Sequence, residues 1–321
     1  MANTVPLIDI SPLECSECVA RQSVDTTLHG ALRDIGFAYI KGHGISDDQT
    51  KEVRETSKEF FSLSDEVKQA YELNQWHRGY LAPATSTIVT STVANVKKPN
   101  QSESFLALSE INPHKKGILN YNQLSGPNQW PTEIPRMKAV CLAYMKDMEK
   151  LSMRLVHSIA RGLDLKECWF DDYFQRPTEF LRLLRYWPQE LEDGLYGSAP
   201  HTDYGFLTLV AQDDIGGLEV RGRDGTWIAV PPIDGTFVLN VADILALWTG
   251  GVFSSTPHRV RNLSKIERYS QPYFFDPSLE TMISPITRLD EGEYFKPFSY
   301  GDYLMERLDK NYDYRKKLAT G

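Results

Sequence analysis

The apolar positions of this chain recur with two different periods. Met137, Val140, Tyr144, Met148, Leu151, Leu155 and Ile159 are spaced by three and four, the repeat of one helix face. Pro135 suits the first turn of such a helix and Gly162 its end, so the spacing predicts a long helix walling one side of a sheet. From Phe180 to about Ile286 the pattern changes to short apolar runs. These are Phe180 to Trp187, stopped by Pro188, then Leu207 to Val210, Gly217 to Val220, Trp227 to Val230 and Thr236 to Leu239. Gly216-Gly217 and Asp224-Gly225 supply turn signals between them. Many short strands at such spacing predict a sandwich or jelly roll.

The N-terminal part alternates strand and helix. Leu7-Ile8-Asp9-Ile10 reads as a strand, the stretch from about Asp25 to Asp34 as a helix ended by Gly36, and Phe37-Ala38-Tyr39-Ile40 as a strand turned by Gly42-His43-Gly44. A helix is expected from about Asp47 to Phe61. Another should start at Ser64-Asp65-Glu66, where a capping hydroxyl precedes acidic residues. The stretch from Gly79 to Ser104 has no helical period and is expected to be irregular strand and loop over the mouth of a site. From Tyr300 a charged amphipathic helix closes the chain, and no internal repeat is evident.

Composition narrows the class. A chain of 321 residues can bury a sizeable core without disulfides or structural metals. Its formal net charge of -8 argues against general attraction to nucleic acid or an anionic membrane. Cys15 and Cys18 form a lone C-x-x-C without the second pair a zinc site needs. Together with Cys141 and Cys168 they read as reduced thiols of an intracellular protein. The first residues show no basic region followed by an apolar one, and no apolar stretch is long enough to cross a bilayer. The expected compartment is the cytoplasm.

The candidate chemistry starts at His201-Thr202-Asp203. In a strand, residues i and i+2 share a face, so His201 and Asp203 offer an imidazole and a carboxylate to one ion. His258, on a distant strand, is the third candidate ligand. Two histidines and one carboxylate leave open positions for substrate and oxygen, which suits non-haem Fe(II). Zinc takes the same trio, so the ligands alone leave the metal open. An H-x-D is common by chance, but this one has company. Pro257-His258-Arg259-Val260 opens a β segment, and Arg268 and Ser270 are again i and i+2. Arginine grips a carboxylate through two parallel hydrogen bonds, and serine adds a third.

With these residues in place, the chain resembles the isopenicillin N synthase-like branch of the 2-oxoglutarate/Fe(II)-dependent dioxygenases. The likeness runs along nearly the whole chain. Its N-terminal part rests on Pro6-Leu7-Ile8-Asp9, Gly36-Phe37 through His43-Gly44-Ile45, and Phe60-Phe61-Ser62-Leu63. Its core rests on His201-Thr202-Asp203, Gly216-Gly217-Leu218, Trp227, Asn240-Val241-Ala242-Asp243, Pro257-His258-Arg259-Val260 and Arg268-Tyr269-Ser270. Ala242 stands where the family usually has glycine, and a small backbone adjustment is expected there. The resemblance implies an α+β fold with a mainly β core, a distorted double-stranded β-helix (jelly roll) with flanking helices. It implies one domain over 1–321, with an N-terminal family region to about 120 and the jelly-roll core at about 175–290. It further implies a catalytic Fe(II) held by His201, Asp203 and His258. The co-substrate 2-oxoglutarate would be anchored at its far carboxylate by Arg268 and Ser270, and O2 would be the oxidant. The outcome would be oxidation, usually hydroxylation, of a small organic substrate, with succinate and CO2 released. His43 is expected to be structural, and His157 a packed or solvated helix residue.

By the same resemblance, alternate residues of the strand before Pro188 face the iron. Counting back from Trp187 puts Trp187, Arg185 and Leu183 inward and Tyr186 and Leu184 outward. Arg185 stands where the family often has asparagine. An arginine buried beside iron needs an anionic partner, either the co-substrate's 1-carboxylate or an acidic substrate. The alternative is an outward arginine in a salt bridge. Phe274 and Asp276 match family positions that line the substrate pocket, and Tyr204 and Phe206 are further candidates. Three rival functions are weighed, of which a zinc hydrolase lacks an evident general base beside the triad and leaves the Arg268 clamp unexplained. The second is an Fe(II) oxidase of this fold that uses no 2-oxoglutarate, since isopenicillin N synthase-like and ethylene-forming relatives keep a similar Arg-x-Ser pair. The third is a non-catalytic small-molecule binding protein, which would have no need of three ligands with open sites.

Overall fold

A computed structural model describes residues 4–15, 19–110, 124–190, 192–286 and 295–320. Strand β1 (Leu7–Asp9) pairs in parallel with β2 (Phe37–Lys41), and α1 (Val19–Asp34) connects them. α1 begins earlier than Asp25 because its first turn, Val19-Ala20-Arg21-Gln22, carries no apolar period to announce it. α2 (Asp47–Phe61) and α3 (Asp65–Gln69) start where expected, with Ser46 and Ser64 accepting the backbone N–H of Gln49 and Val67. The stretch expected to be irregular holds a strand at each end, β3 (Gly79–Leu81) and β4 (Ser102–Leu108). Every residue of β4 is buried. A strand covered on both faces shows no alternation, and this hid it in the sequence.

α4 (Met137–Gly162) is the long helix. The chain then runs through β5 (Thr178–Tyr186), β6 (Ser198–His201), β7 (Leu207–Gln212), β8 (Leu218–Arg221), β9 (Trp227–Ala229) and β10 (Phe237–Val241). After α5 (Asp243–Trp248) come β11 (His258–Val260), β12 (Arg268–Asp276), β13 (Met282–Ile283) and β14 (Phe298–Ser299), and the chain closes with α6 (Tyr300–Asn311) and α7 (Asp313–Thr320). An eight-stranded sheet has the order β1-β2-β10-β7-β12-β5-β4-β3, and a four-stranded sheet the order β6-β11-β8-β9. Apart from β1 with β2, the pairings in both sheets are antiparallel, which gives the expected α+β jelly roll with flanking helices.

α4 walls the outer face of the large sheet. Met137, Tyr144, Met148, Leu151 and Leu155 share one core with Leu181, Leu183, Leu209, Tyr273 and Phe275, and each fully buried leucine there contributes roughly 2 kcal/mol. A smaller core lies between the sheets, where Leu184 and Tyr186 of β5 join Phe37, Val220 and Val260. The interior of the roll is thus lined from both sheets. Ala242 caps α5 in extended backbone with φ -107°, a region open to any L-residue, so alanine fits where glycine is usual. His43 stacks on Phe237 at 4.3 Å and accepts the Ile45 N–H, a structural role. His157 pairs with Asp171 at 2.8 Å, half-buried on α4. Cys141 is buried in α4, and Cys18 lies outside the described residues. No helix among the described residues is long and apolar enough to cross a membrane.

Candidate active site

β6 and β11 are antiparallel neighbours, and their register sets His201 directly opposite His258. The ring centroids are 4.3 Å apart. Asp203 follows two residues after His201, and its Oδ1 lies 3.6 Å from His201 Nε2 and 3.7 Å from His258 Nε2. The three ligand atoms fall within 4.8 Å of one another. Their outer partners fix which atoms face the common point. His201 Nδ1 donates to the Ala199 carbonyl at 2.8 Å and His258 Nδ1 to that of Thr256 at 3.2 Å, which turns both Nε2 lone pairs inward. Asp203 Oδ2 accepts from Thr208 Oγ1 at 2.6 Å and Asn240 Nδ2 at 2.7 Å, leaving Oδ1 for an ion. Burial and the neighbouring His258 bring His201 down to about 4, so the imidazole is neutral and ready to ligate at pH 7. Two imidazoles and one carboxylate oxygen are a donor set that fits a single Fe(II), which His201, Asp203 and His258 would hold.

Arg268 and Ser270 do share a face. Arg268 is 1% exposed and points into the roll below the triad, in a cavity it shares with His201, Asp203 and His258. Its hydrogen bonds are long and go to neutral groups, Ser270 Oγ at 3.3 Å and Gln212 Oε1 at 3.3 Å, while its Nε has no partner. Among the described residues no carboxylate forms an ion pair with it. A buried guanidinium so poorly matched by its own protein has donors free for a carboxylate, which can accept two parallel N–H bonds. Its ring neighbour is Tyr186, whose centroid lies 4.9 Å from the guanidinium carbon.

On β5 the expected parity is reversed. The register pairs Tyr186 with Arg268 and Leu184 with Ser270, so Phe180, Arg182, Leu184 and Tyr186 face the roll. Leu183 is buried in the α4 core instead. Arg185 also faces outward, donating to Phe61 O and Glu103 Oε1 at 3.0 Å each and to Glu267. Trp187 lies beyond the strand end, with the Arg185 guanidinium 5.2 Å from its ring centroid. None of these three side chains lines either cavity at the triad. Trp187 lies past the end of β5 and does not continue its alternation, and a shift of one residue exchanges every side chain between faces. The arginine that does face inward is Arg182. Its Nε donates to Ser104 Oγ at 3.1 Å and its Nη1 to Tyr312 OH at 3.4 Å, and it forms no ion pair among the described residues.

The geometry agrees with what comparison finds. Residues 178–277 match the family described as the 2OG-Fe(II) oxygenase superfamily, and residues 5–133 match the non-haem dioxygenase N-terminal family named for morphine synthesis. A probable iron/ascorbate oxidoreductase of Dictyostelium discoideum is 33% identical, covering 95% of this chain and 94% of the relative. The chain belongs to the 2OG-Fe(II) oxygenase superfamily. Homoarginine-6-hydroxylase of Glycine max is 32% identical over 97% of this chain and 98% of its own length. Among solved structures, a full-length Neurospora crassa protein in complex with alpha-KG and thymine superposes with a TM-score of 0.84 at 27% identity, covering 95% of this chain and 96% of that one. The protein is therefore a 2-oxoglutarate- and Fe(II)-dependent oxygenase.

A second cavity of this oxygenase also borders the triad and shares His201, Asp203, Arg182 and Phe274 with the first. Phe274 and Tyr204 line it, with Phe180, Leu106 and Ile88 as further apolar wall. The stretch between β3 and β4 contributes Ser86, Ile88 and Asn100, as expected of a segment over the mouth. Phe206 does not reach it, being fully buried among Phe170, Phe174 and Trp248. Asp276 borders the cavity, but both its oxygens are engaged, Oδ1 by Phe206 N at 2.6 Å and Oδ2 by Tyr300 OH at 2.8 Å. Gly205 packs on that carboxylate, where a Cβ would come within 1.6 Å of Oδ1. Sequence reasoning missed Arg182, Gln212 and the roof of the cavity, Leu304 and Leu308 of α6. It also missed the supports Thr208 and Asn240. For those two a signal was present: a polar residue inside the buried apolar runs Leu207-Thr208-Leu209 and Leu239-Asn240-Val241.

Proposed function

We propose that this oxygenase hydroxylates a small organic molecule carrying an anionic group, with His201, Asp203 and His258 as iron ligands. Arg268, with Ser270 and Gln212, would hold the far carboxylate of 2-oxoglutarate. The observation that carries the substrate class is Arg182, an arginine turned into the cavity beside the triad without an ion-pair partner among the described residues. A guanidinium held there by two neutral hydroxyls has donors left for a substrate anion.

Bound Fe(II), with 2-oxoglutarate and O2, supplies the oxidising chemistry in this family. The chain's own residues bind, orient and exclude. Thr208 and Asn240 hold Asp203 so that only Oδ1 is presented, and the carbonyls of Ala199 and Thr256 hold both imidazoles in one tautomer. Arg182 fixes one end of the substrate. Phe274, Phe180, Leu304 and Leu308 keep water away from the rest. The names of relatives, which point to homoarginine and thymine for those proteins, support a small substrate. The clamp and the family support the need for 2-oxoglutarate over a 2-oxoglutarate-free oxidase.

The test is 2-oxoglutarate consumption by the Fe(II) protein against paired carboxylic acids and their primary amides. Acids should stimulate turnover more than their amides, and Arg182→Gln should erase the difference. Equal stimulation by both members of each pair would remove the anionic substrate from the reading.

A further inference from the structure

Among the described residues lining the cavity beside the triad, His77 is held in a left-handed backbone conformation, at φ 61°. A side chain there is uncommon outside turns, and held strain of this kind clusters at ligand sites. The conformation is fastened locally. Asn74 Oδ1 accepts the N–H of Trp76 at 3.0 Å and of Arg78 at 3.4 Å, and Asn74 O accepts that of His77 at 3.0 Å. The ring packs edge-on against Phe180 and Tyr312 and lines the cavity with Arg182, while being only 1% exposed overall.

The proton on this ring can be placed by following donors. Arg315 has only N–H groups to offer and hydrogen-bonds the Tyr314 phenol, so it occupies an oxygen lone pair. The phenol can then donate its own proton to His77 Nδ1, 2.6 Å away, the arrangement in which its oxygen accepts from one donor rather than two. A ring that accepts at Nδ1 carries its hydrogen at Nε2. Burial pushes the Tyr314 phenol up to about 12, keeping that donor protonated. Burial and the cations Arg315, Arg182 and Arg78 hold the His77 imidazole well below its ordinary value and therefore neutral.

We propose that His77 is a specificity-determining residue whose Nε2–H, set by the Arg315–Tyr314 relay, acts with Arg182 as a two-donor anchor for a substrate carboxylate. This rests on the anionic-substrate reading and adds to it a second contact and the tautomer that makes it. The predicted substrate is an organic acid whose carboxylate sits between the two residues and whose apolar body meets Phe274, Leu304 and Leu308.

The experiment uses the full chain loaded with Zn(II) and 2-oxoglutarate, labelled with 15N-histidine, and phenylacetate as the probe. Long-range 1H–15N spectra, assigned by the peaks lost in His77→Asn, should show the Nε2–H tautomer of His77, and Tyr314→Phe should turn it into a mixture. An Nδ1–H tautomer in the wild type overturns the proposal. Phenylacetate affinity should fall roughly fivefold to tenfold in His77→Asn and in Tyr314→Phe, the effect of one hydrogen bond, and further in Arg182→Gln. Asparagine tolerates the left-handed backbone, and Tyr314→Phe leaves His77 itself in place, so a folding defect in one variant does not decide the matter. Loss in Arg182→Gln alone would overturn the role of His77 and leave the anionic-substrate reading intact. Unchanged affinity in all three variants, or no binding of phenylacetate at millimolar concentration, would overturn both.

Discussion

The phenol of Tyr303 donates to Asp243 Oδ2 at 3.0 Å, and this bond ties α6, the roof of the pocket, to the loops that carry the candidate metal ligands. Thr202, between His201 and Asp203, donates to the same oxygen at 3.2 Å, and Ser255 donates to Oδ1 at 2.7 Å. The backbone N–H of Asp243 reaches the Asp203 carbonyl at 2.8 Å. One carboxylate therefore sets the loop at each histidine and the position of the helix above them.

Removing the Tyr303 hydroxyl leaves that carboxylate two other donors. Tyr303→Phe is expected to cost about 1–2 kcal/mol of stability, and Asp243→Ala about 3 kcal/mol, because it strands three hydroxyls at once. Urea unfolding compares the two. In kinetics, Tyr303→Phe should raise the Michaelis constant for the organic substrate and leave that for 2-oxoglutarate near its wild-type value, since the roof lines only the substrate cavity. Equal stability loss in the two variants would contradict the hub.

Arg268 should be far more sensitive than its neighbours. Truncation to alanine would remove the charged partner proposed for the 2-oxoglutarate carboxylate, an interaction whose loss costs about 3 kcal/mol, or roughly hundredfold in affinity. Anaerobic titration of the Fe(II) protein, followed by the weak visible charge-transfer band of the chelate, measures this directly. A lysine at the same position should recover only part of the loss, because it cannot make the bidentate contact. Wild-type saturation by Arg268→Ala would reassign the clamp.

The two arginines of β5 should separate cleanly. Arg182→Met should lower substrate-stimulated turnover and leave iron content unchanged. Arg185→Met should instead destabilise the fold by about 2 kcal/mol while sparing activity, because it takes charge-assisted bonds from the buried Glu103 and from Glu267. Lys68, 2.8 Å from Glu103, limits the damage. Substrate dependence lost in Arg185→Met, with normal stability, would restore the opposite parity.

That parity shows where the sequence stops being readable. Arg268 and Ser270 are legible because within a strand a spacing of two reports one face whatever the register, whereas Asp203 lies just past the end of β6 and meets His201 through the loop that follows. Arg182 and Arg185 are three apart in Leu181-Arg182-Leu183-Leu184-Arg185-Tyr186, so they must lie on opposite faces, but both faces of β5 are covered. With no solvent side, the apolar pattern cannot say which arginine points in. Only the pairing of Tyr186 with Arg268 decides it. Likewise the amphipathic period from Tyr300 shows that Leu304 and Leu308 turn inward without showing what they cover. That depends on contacts as distant in sequence as Asn311 to Tyr204 and Tyr303 to Asp243.

Asp276 gives the last prediction, in its dependence on pH. Its complete burial raises the carboxyl to about 7, against the hydrogen bonds from Phe206 N and Tyr300 OH, which favour the ionised form. The unfolded chain releases this proton near 3.8, so between that value and 7 the native state binds more protons than the unfolded one. Stability from this group is therefore fully present below about 4 and is lost as pH rises through 7, at up to about 1.4 kcal/mol per unit. His77 acts in the opposite sense below its ordinary value, so the wild type alone would blur the effect. Asp276→Asn removes the titration and keeps the shape, with its amide oxygen facing Phe206 N and its amide nitrogen facing the Tyr300 oxygen. The stability of the wild type relative to Asp276→Asn, from urea unfolding, should decline steadily between pH 5 and pH 7. A difference that stays flat across this interval would mean that the carboxyl is already ionised at pH 5, and that its two donors outweigh its burial.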